Sequence, residues 1–178
     1  YKNVTIIFIF FLMLKEIIES FLEYRNRKNV MENRNKVPEK FAERVTLEEH
    51  QKAADYTVAK INAGQIFNLI NFFILLGWTL GGGLNLLDMF VRSLGISTLW
   101  MGVTFIFSFG IISYLLNLPQ SLYTTFVLEE RFGFNKTTPK IFVMDTLKAL
   151  LLSVLIGVPL IISILWVMDK YKENWWFI

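Results

Sequence analysis

The chain has 178 residues and a formal net charge of +3, and apolar residues make up 54% of it. Charged residues account for only 19%, fewer than an ordinary soluble domain contains. These values disfavour a soluble globule and a disordered chain. The small net charge is spread over loops and gives no case for a nucleic-acid partner. The absence of Cys excludes disulfides, thiolate metal sites and a cysteine nucleophile from this sequence.

Long uncharged runs predict an all-α, polytopic membrane bundle of about four transmembrane helices. A helix needs about 20 apolar residues to cross ~30 Å of hydrocarbon. Three runs are this long, Ile61–Leu87, Ser93–Leu128 and Ala149–Met168, and a shorter run, Asn3–Leu14, starts the chain. We predict spans at about 1–22, 64–87, 99–118 and 142–168, and loops at about 23–60 and 119–140.

Both ends of the sequence lead us to expect a piece of a longer protein. The chain begins with Tyr1 rather than Met, inside an apolar run that looks cut at its start. Residues 174–178 resemble the opening of a further membrane segment. We therefore expect a partner sequence to carry the chemistry.

Polar residues within the first two spans leave two interpretations open for each. On the first helix, Glu16, Glu19 and Glu23 lie opposite an apolar face, so they either face a polar chamber or leave the bilayer for water. On the second, Asn68 and Asn71 are three residues apart and share a face. They are candidates for lining a hydrated chamber, and hydrogen bonding between helices explains them equally well.

The distribution of Lys and Arg predicts the orientation. Nine Lys and Arg residues lie between Glu23 and Lys60, whereas the short loop between the second and third spans has only Arg92. The loop after the third span is basic again, with Arg131 and Lys136. Because cytoplasmic loops are enriched in Lys and Arg, we predict that both long loops are cytoplasmic.

The first long loop shows local helix signals but no catalytic motif. Pro38 is expected to open a short helix at 39–44, and Thr46 with Glu49 three residues later forms a predicted capping box. His50 is the only histidine, so His-Glu-x-x-His is absent. We interpret His50 as a solvated helix residue.

The second long loop contains residues that typically begin or end helices. Pro119 is expected to divide the longest apolar run into a membrane helix and a separate short helix. Gly133 is predicted to end that short helix in the left-handed conformation. Thr138 then caps the next helix, with Pro139 at its first position, where a missing N–H costs nothing.

Residues 121–138 read Ser-Leu-Tyr-x-x-Phe-Val-x-Glu-Glu-x-Phe-Gly-Phe-Asn-x-x-Thr. This stretch resembles a signature of the type I CAAX prenyl proteases, which are integral-membrane zinc metallopeptidases. Asp145-x-x-Lys148 and the order of spans and loops are similar as well. The resemblance implies that the chain is part of a larger helical barrel, a ring of seven membrane helices around a water-filled chamber, closed on the cytoplasmic side by a zinc domain.

In that family, His-Glu-x-x-His supplies two zinc ligands and the general base, and a later Glu supplies the third ligand. Since this sequence has neither, no catalytic or metal residue is assigned to it. Zinc is expected in the parent protein, and the chain alone is predicted to bind none and to be inactive. The resemblance instead assigns a docking and chamber-lining loop, which faces the catalytic domain: Glu129, Glu130, Arg131, Phe132, Gly133, Phe134, Asn135 and Thr138.

The sequence therefore predicts the N-terminal membrane region of a CAAX prenyl protease-like zinc metalloendopeptidase. Expected partners are the lipid bilayer, the missing C-terminal catalytic domain and a protein or peptide substrate, prenylated in the family's typical case. The expected location is the endoplasmic reticulum membrane or a bacterial inner membrane. A transporter or channel subunit and a non-catalytic membrane anchor are the alternatives. A downstream His-Glu-x-x-His would favour the protease, and an inverted repeat the transporter.

Overall fold

A computed structural model describes residues 2–172, which form helices and turns without a β-strand. The helices are α1 (Lys2–Glu32), α2 (Leu47–Thr79), α3 (Gly83–Ser93), α4 (Thr98–Tyr123), α5 (Pro139–Leu152) and α6 (Val158–Tyr171). A 3₁₀ turn covers Glu39–Phe41, and π-helical segments cover Thr124–Glu129 and Ser153–Gly157. The all-α prediction is confirmed. The expectation for 174–178 lies outside the described residues.

Three helical stretches in the described part of the chain are long and apolar enough to cross a membrane: Leu47–Thr79, Thr98–Glu129 and Pro139–Tyr171. Most large apolar side chains on these helices are exposed. In water, each Å² of apolar surface left exposed would lose about 25 cal/mol of the stabilising free energy that burial provides. In a bilayer, lipid tails cover the same surface, so it needs no contact with other parts of the protein. The chain is therefore a multi-pass integral membrane protein. The bounds of the four predicted spans remain predictions.

The expected break at Pro119 does not occur, so that prediction was wrong. α4 runs through Pro119 to Tyr123, and its backbone then widens into the π-helical segment Thr124–Glu129. Proline removes one backbone hydrogen bond of the helix, and α4 continues past Pro119 without it. One turn earlier, the Asn117 amide donates to the Ser113 carbonyl at 2.8 Å.

The chain divides into two compact units, which we describe separately. Unit 1 takes the chain up to Phe73 together with Phe126–Phe134, and unit 2 takes Ile74–Thr125 and the chain from Asn135.

Unit 2 is packed by close apolar contacts. α4 contacts α6 where Gly102 faces Leu165: a Cβ on Gly102 would lie 2.7 Å from Leu165 Cδ1. The indole of Trp78 packs edge-on against Phe109, with ring centroids 4.8 Å apart. α2 stops at Thr79, and Gly82 follows with φ +79°.

Unit 1 fastens the turn after α1 to the first turns of α2 through polar side chains. The Arg34 guanidinium donates two hydrogen bonds to Asp55, at 2.7 and 2.8 Å. These bonds hold the pKa of Asp55 below its usual value. His50 is half-buried, and its Nε2 lies 3.0 Å from the Asn33 carbonyl oxygen, to which it donates. His50 therefore lies on a helix and is partly exposed, as interpreted, and it also joins α2 to the end of α1 through this hydrogen bond.

The predicted capping box at the start of α2 is confirmed. The Thr46 N–H donates to Glu49 Oε2 at 2.9 Å, and the Glu49 N–H donates to Thr46 Oγ1 at 3.2 Å. The bond from the Thr46 backbone, with that from its hydroxyl, lowers the pKa of Glu49. The short helix expected at 39–44 is only the 3₁₀ turn Glu39–Phe41.

Candidate functional site

The predicted loop begins with a tight turn built around Gly133. Gly133 has φ +71°, as expected, and its N–H donates to the Glu130 carbonyl at 3.0 Å. The Phe134 N–H donates to the Glu129 carbonyl at 2.9 Å. These two bonds form a Schellman motif, which satisfies the last carbonyls of a helix and needs a left-handed residue where Gly133 stands. The turn therefore has one defined backbone geometry.

Within unit 1, the two phenylalanines beside that glycine pack against a tyrosine of α2. Tyr56 lies edge-on to Phe132, with ring centroids 5.5 Å apart, and to Phe134 at 4.8 Å. Such aromatic pairs are worth about 0.5–1.5 kcal/mol each beyond the area they bury. We call Tyr56, Phe132 and Phe134 the aromatic clasp. It holds the turn on the first half of α2.

Two cations extend over the clasp. Lys52 Nζ lies 5.5 Å from the centroid of the Phe134 ring, and the Arg131 guanidinium carbon lies 5.7 Å from that of Phe132. Lys52 precedes Tyr56 by four residues, so both are on one face of α2. A Cβ on Gly133 would stand 3.5 Å from Lys52 Nζ. The turn and α2 are thus closely fitted at this point.

The rest of the loop, in unit 2, is shaped by its own side chains. Asn135 Oδ1 accepts a hydrogen bond from the Thr137 N–H at 2.7 Å, a local turn that asparagine favours. Thr138 Oγ1 accepts one from the Ile141 N–H at 3.2 Å, and Pro139 begins α5. The predicted Thr138 cap with proline at the first helical position is confirmed.

The structure divides the eight predicted loop residues by surroundings. Phe132 and Phe134 contact α2, while Gly133, Asn135 and Thr138 set the backbone. Among the charged residues of unit 1, Glu129 is half-buried, whereas Glu130 and Arg131 are exposed. Lys136, in unit 2, is exposed as well. A fixed backbone therefore presents charged side chains to the surroundings.

The two asparagines of α2 differ in their surroundings. Asn68 is half-buried, and its amide donates to Glu23 Oε1 of α1 at 3.2 Å, within unit 1. Asn71 is exposed. On α1, Lys15 pairs with Glu16 at 2.9 Å and with Glu19 at 3.0 Å. Hydrogen bonding between helices thus accounts for Asn68, and Glu23 contacts α2 rather than water alone.

The described residues contain no group of three or more His, Cys, Asp or Glu side chains placed to hold a metal ion. The donor set explains this, since the whole sequence has one His and no Cys. These residues do not fit a zinc site of His and Glu ligands.

Fold and site together define a multi-pass helical membrane domain with a hydrogen-bonded, charged turn between two of its helices. Residues 26–178 match the family model described as "CAAX prenyl protease N-terminal, five membrane helices". The chain belongs to this family.

Two curated relatives and one solved structure show how far the similarity reaches. "CAAX prenyl protease 1" of Saccharomyces cerevisiae is 30% identical over 90% of this chain and 37% of its own length. "Probable CAAX prenyl protease 1" of Schizosaccharomyces pombe is 35% identical over 70% of this chain and 30% of its own length. The crystal structure of S. mikatae Ste24p superimposes with a TM-score of 0.83 and 29% identity, covering 94% of this chain and 40% of that one. The chain thus spans about two fifths or less of these proteins.

Sequence reasoning missed the α2 side of the site. Tyr56 lies 76 residues before Phe132 and Lys52 lies 82 residues before Phe134, and no local pattern connects them to the loop. The signal that existed was their four-residue spacing, which places an aromatic and a cation on one helix face.

Proposed function

We propose that this chain is the N-terminal membrane region of a CAAX prenyl protease-like zinc metalloendopeptidase. In this proposal it forms part of an intramembrane chamber, and its loop 129–138 docks the catalytic domain. The observation that carries the proposal is the turn at Gly133, fixed on α2 by the aromatic clasp, in a chain that belongs to the CAAX prenyl protease N-terminal family. Family membership also favours a protease over a transporter or a simple anchor.

The loop suits docking because it is ordered before a partner arrives. The Schellman turn and the clasp fix the backbone, so little conformational entropy remains to be lost on association. Exposed Glu130, Arg131 and Lys136 can then form charged contacts with a partner at defined positions. The proposed division is that Phe132 and Phe134 position the loop, and the charged residues contact the catalytic domain.

We place the zinc site, its ligands and the peptide-cleaving residues in the part of the relatives' length that this chain does not cover. We propose that this chain contributes to catalysis only by positioning the catalytic domain. It would hold the catalytic domain over the chamber, and the exposed Asn71 would line the wall, whereas Asn68 would join α2 to α1 through its hydrogen bond to Glu23. The substrate would be a protein or peptide, and the similarity to CAAX prenyl proteases supports a prenylated CAAX end.

We further propose that the loops 23–60 and 119–140 are cytoplasmic and that the membrane is the endoplasmic reticulum. Lys and Arg asymmetry supports the first part, and relatives from two yeasts support the second. Single cysteines introduced at Lys36, Lys136 and Arg92 test the orientation, because this sequence has no Cys of its own. Labelling should reach positions 36 and 136 from one side and position 92 from the other. Labelling of all three from one side contradicts the proposed topology.

Cleavage of a fluorogenic peptide with a prenylated CAAX end tests the function in the full-length protein. We expect cleavage that is lost on chelation and restored by zinc. Residues 1–178 expressed alone are the matched control and should neither cleave nor retain zinc against a weak chelator. Zinc retained by residues 1–178, or cleavage indifferent to chelation of the full-length protein, would contradict the proposal.

A further inference from the structure

The short helix α3 lies at a membrane face, because it connects two membrane-spanning stretches through short turns. α2 ends at Thr79 and α4 begins at Thr98, and both belong to stretches long and apolar enough to cross a bilayer. The 11 residues of α3 rise only about 16 Å, so α3 cannot itself cross ~30 Å of hydrocarbon. In the first turn of α4, Trp100 is exposed, as is typical of an aromatic where the membrane meets water.

One side of α3 is packed against its neighbours in unit 2. At the start of the helix, a Cβ on Gly83 would lie 2.9 Å from Trp78 Cε3, so α3 begins in close contact with the last turns of α2. Leu87 and Val91, which are four residues apart and share a face, are both buried, and α3 contacts α4. The position of α3 within unit 2 is therefore fixed by contacts on this side.

Polar and apolar side chains are separated around the rest of α3. At about 100° per residue, Asn85, Asp88 and Arg92 fall within an arc of about 60°, which we call the polar arc. Leu86 and Phe90 lie about 130° and 170° from its centre. They are 66% and 59% exposed, so nothing in the described part of the chain covers them. We call Leu86 and Phe90 the uncovered face of α3.

The polar groups of α3 are arranged as a helix half immersed in lipid requires. On the polar arc, Arg92 Nε donates to Asp88 Oδ2 at 2.7 Å, so the two charges are paired where water is available. Ser93 falls about 20° from Leu86, beside the uncovered face, but its hydroxyl donates to the Phe90 carbonyl at 2.6 Å. The serine therefore needs no water, and the uncovered face can enter hydrocarbon without leaving this hydroxyl unpaired.

We propose that α3 is an interfacial helix whose uncovered face inserts between the acyl chains of the adjacent leaflet. Amphipathic helices lie in the membrane plane in this way, with the polar side toward the headgroups and the apolar side in hydrocarbon. Lipid is the occupant because α4 covers one flank, the polar arc points to water, and the remaining direction leads into the bilayer. With one acid and one base, the polar arc has no net charge, so the acyl chains rather than charged headgroups are the chemistry that α3 recognises.

Spin labels on α3 test the proposal in the full-length protein, reconstituted into phosphatidylcholine liposomes. Leu86→Cys and Phe90→Cys carry a label on the uncovered face, and Asn85→Cys and Arg92→Cys are the matched controls on the polar arc. This sequence has no Cys, and any cysteine in the rest of the protein is replaced by serine. Electron paramagnetic resonance then measures collisions of each label with oxygen, which concentrates in hydrocarbon, and with a nickel chelate, which stays in water.

Labels at positions 86 and 90 should collide mainly with oxygen, at a depth of about 5–10 Å below the headgroup boundary. Labels at positions 85 and 92 should collide mainly with the nickel chelate. Few collisions with either reagent at 86 and 90 would mean that a protein segment covers the face, and this overturns the proposal. Equal nickel access at all four positions would place α3 in water and overturns it as well.

A gel-filtration profile like that of the wild type verifies that each labelled variant is folded. Positions 86 and 90 are read independently, so either one decides the outcome if the other variant aggregates. The measurement does not involve proteolysis, and it stands or falls apart from the proposed function.

Discussion

Unit 1 and unit 2 are built from the same kind of helix but differ in how much directional contacts contribute to holding them together. In unit 1, segments distant in sequence meet through directional contacts: Arg34 with Asp55, Asn68 with Glu23, and Tyr56 with the loop phenylalanines. In unit 2, close apolar packing is more prominent, as where Gly102 lets Leu165 approach closely, although one hydrogen bond, between Tyr114 Oη and Thr146 Oγ1 at 3.0 Å, also joins α4 and α5. Lipid tails are as apolar as leucine, so close packing is what associates helices there.

This difference indicates that the contacts of unit 1 depend more on particular residues than those of unit 2. Apolar packing tolerates many sequences, whereas a Schellman turn clasped by three aromatic rings and flanked by exposed charges needs particular residues. We therefore expect changes at the unit 1 contacts to affect activity more than changes of equal structural severity in unit 2.

Gly133→Val should have the largest effect on this comparison. A β-branched residue at φ +71° is strained by about 1–3 kcal/mol, and its side chain would approach Lys52. We expect peptide cleavage by the full-length protein to fall roughly tenfold or more, with membrane insertion intact. Gly95→Val is the matched control, since Gly95 has φ +63° in unit 2 and open space around it. An equal loss of cleavage in both variants would show that backbone strain at either glycine lowers activity, and it would contradict a special role for the turn at Gly133.

Asn135→Ala should have the next largest effect. It removes the acceptor of the Thr137 N–H, a bond worth about 1 kcal/mol net. Activity and yield of folded protein are to be measured together, and activity should fall more. Asn135→Asp keeps an acceptor oxygen and should restore most of the activity. Full activity of Asn135→Ala would mean that this part of the loop is only a connector.

Two aromatic pairs of the same geometry sharpen the comparison. Tyr56 with Phe134, and Trp78 with Phe109, both have ring centroids 4.8 Å apart at 63° and 64°. Double-mutant cycles to leucine, read by denaturant titration, should give about 0.5–1.5 kcal/mol of coupling for each pair. Only the Tyr56 and Phe134 changes should also lower cleavage. Equal activity losses from both pairs would remove the distinction between the units.

The smallest expected effect is a pH dependence of the stability of unit 1. Arg34 holds the pKa of Asp55 below its ordinary value near 3.8. The pair's stabilisation is thus fully present above that value and is lost as the pH falls through the lowered pKa. Pepsin should cut the turn after α1 more readily as this happens, and Arg34→Gln should abolish the dependence. Lys148→Gln, which removes an exposed pair with Asp145 in unit 2, should leave it unchanged.

The local features of this fold followed from the sequence, whereas its distant contacts did not. The Thr46 capping box, the left-handed Gly133 and the Thr138 cap are each set by residues within a few positions, where short-range sterics and hydrogen bonds decide. Pro119 misled because a helix can continue past a proline at the cost of one backbone hydrogen bond, as α4 does. The clasp between Tyr56 and the loop is a tertiary contact, and one sequence has no local signal for it.

Photo-crosslinking in the full-length protein tests the central claim, that loop 129–138 docks the catalytic domain, most directly. A photoreactive residue replaces Arg131 or Lys136, both exposed, and a third variant carries it at Arg92 in unit 2. The crosslinked peptides are identified by mass spectrometry. The account predicts crosslinks from positions 131 and 136 to the region carrying the zinc ligands, and none to that region from position 92. Crosslinks to that region from position 92 alone, or from none of the three positions, would contradict it.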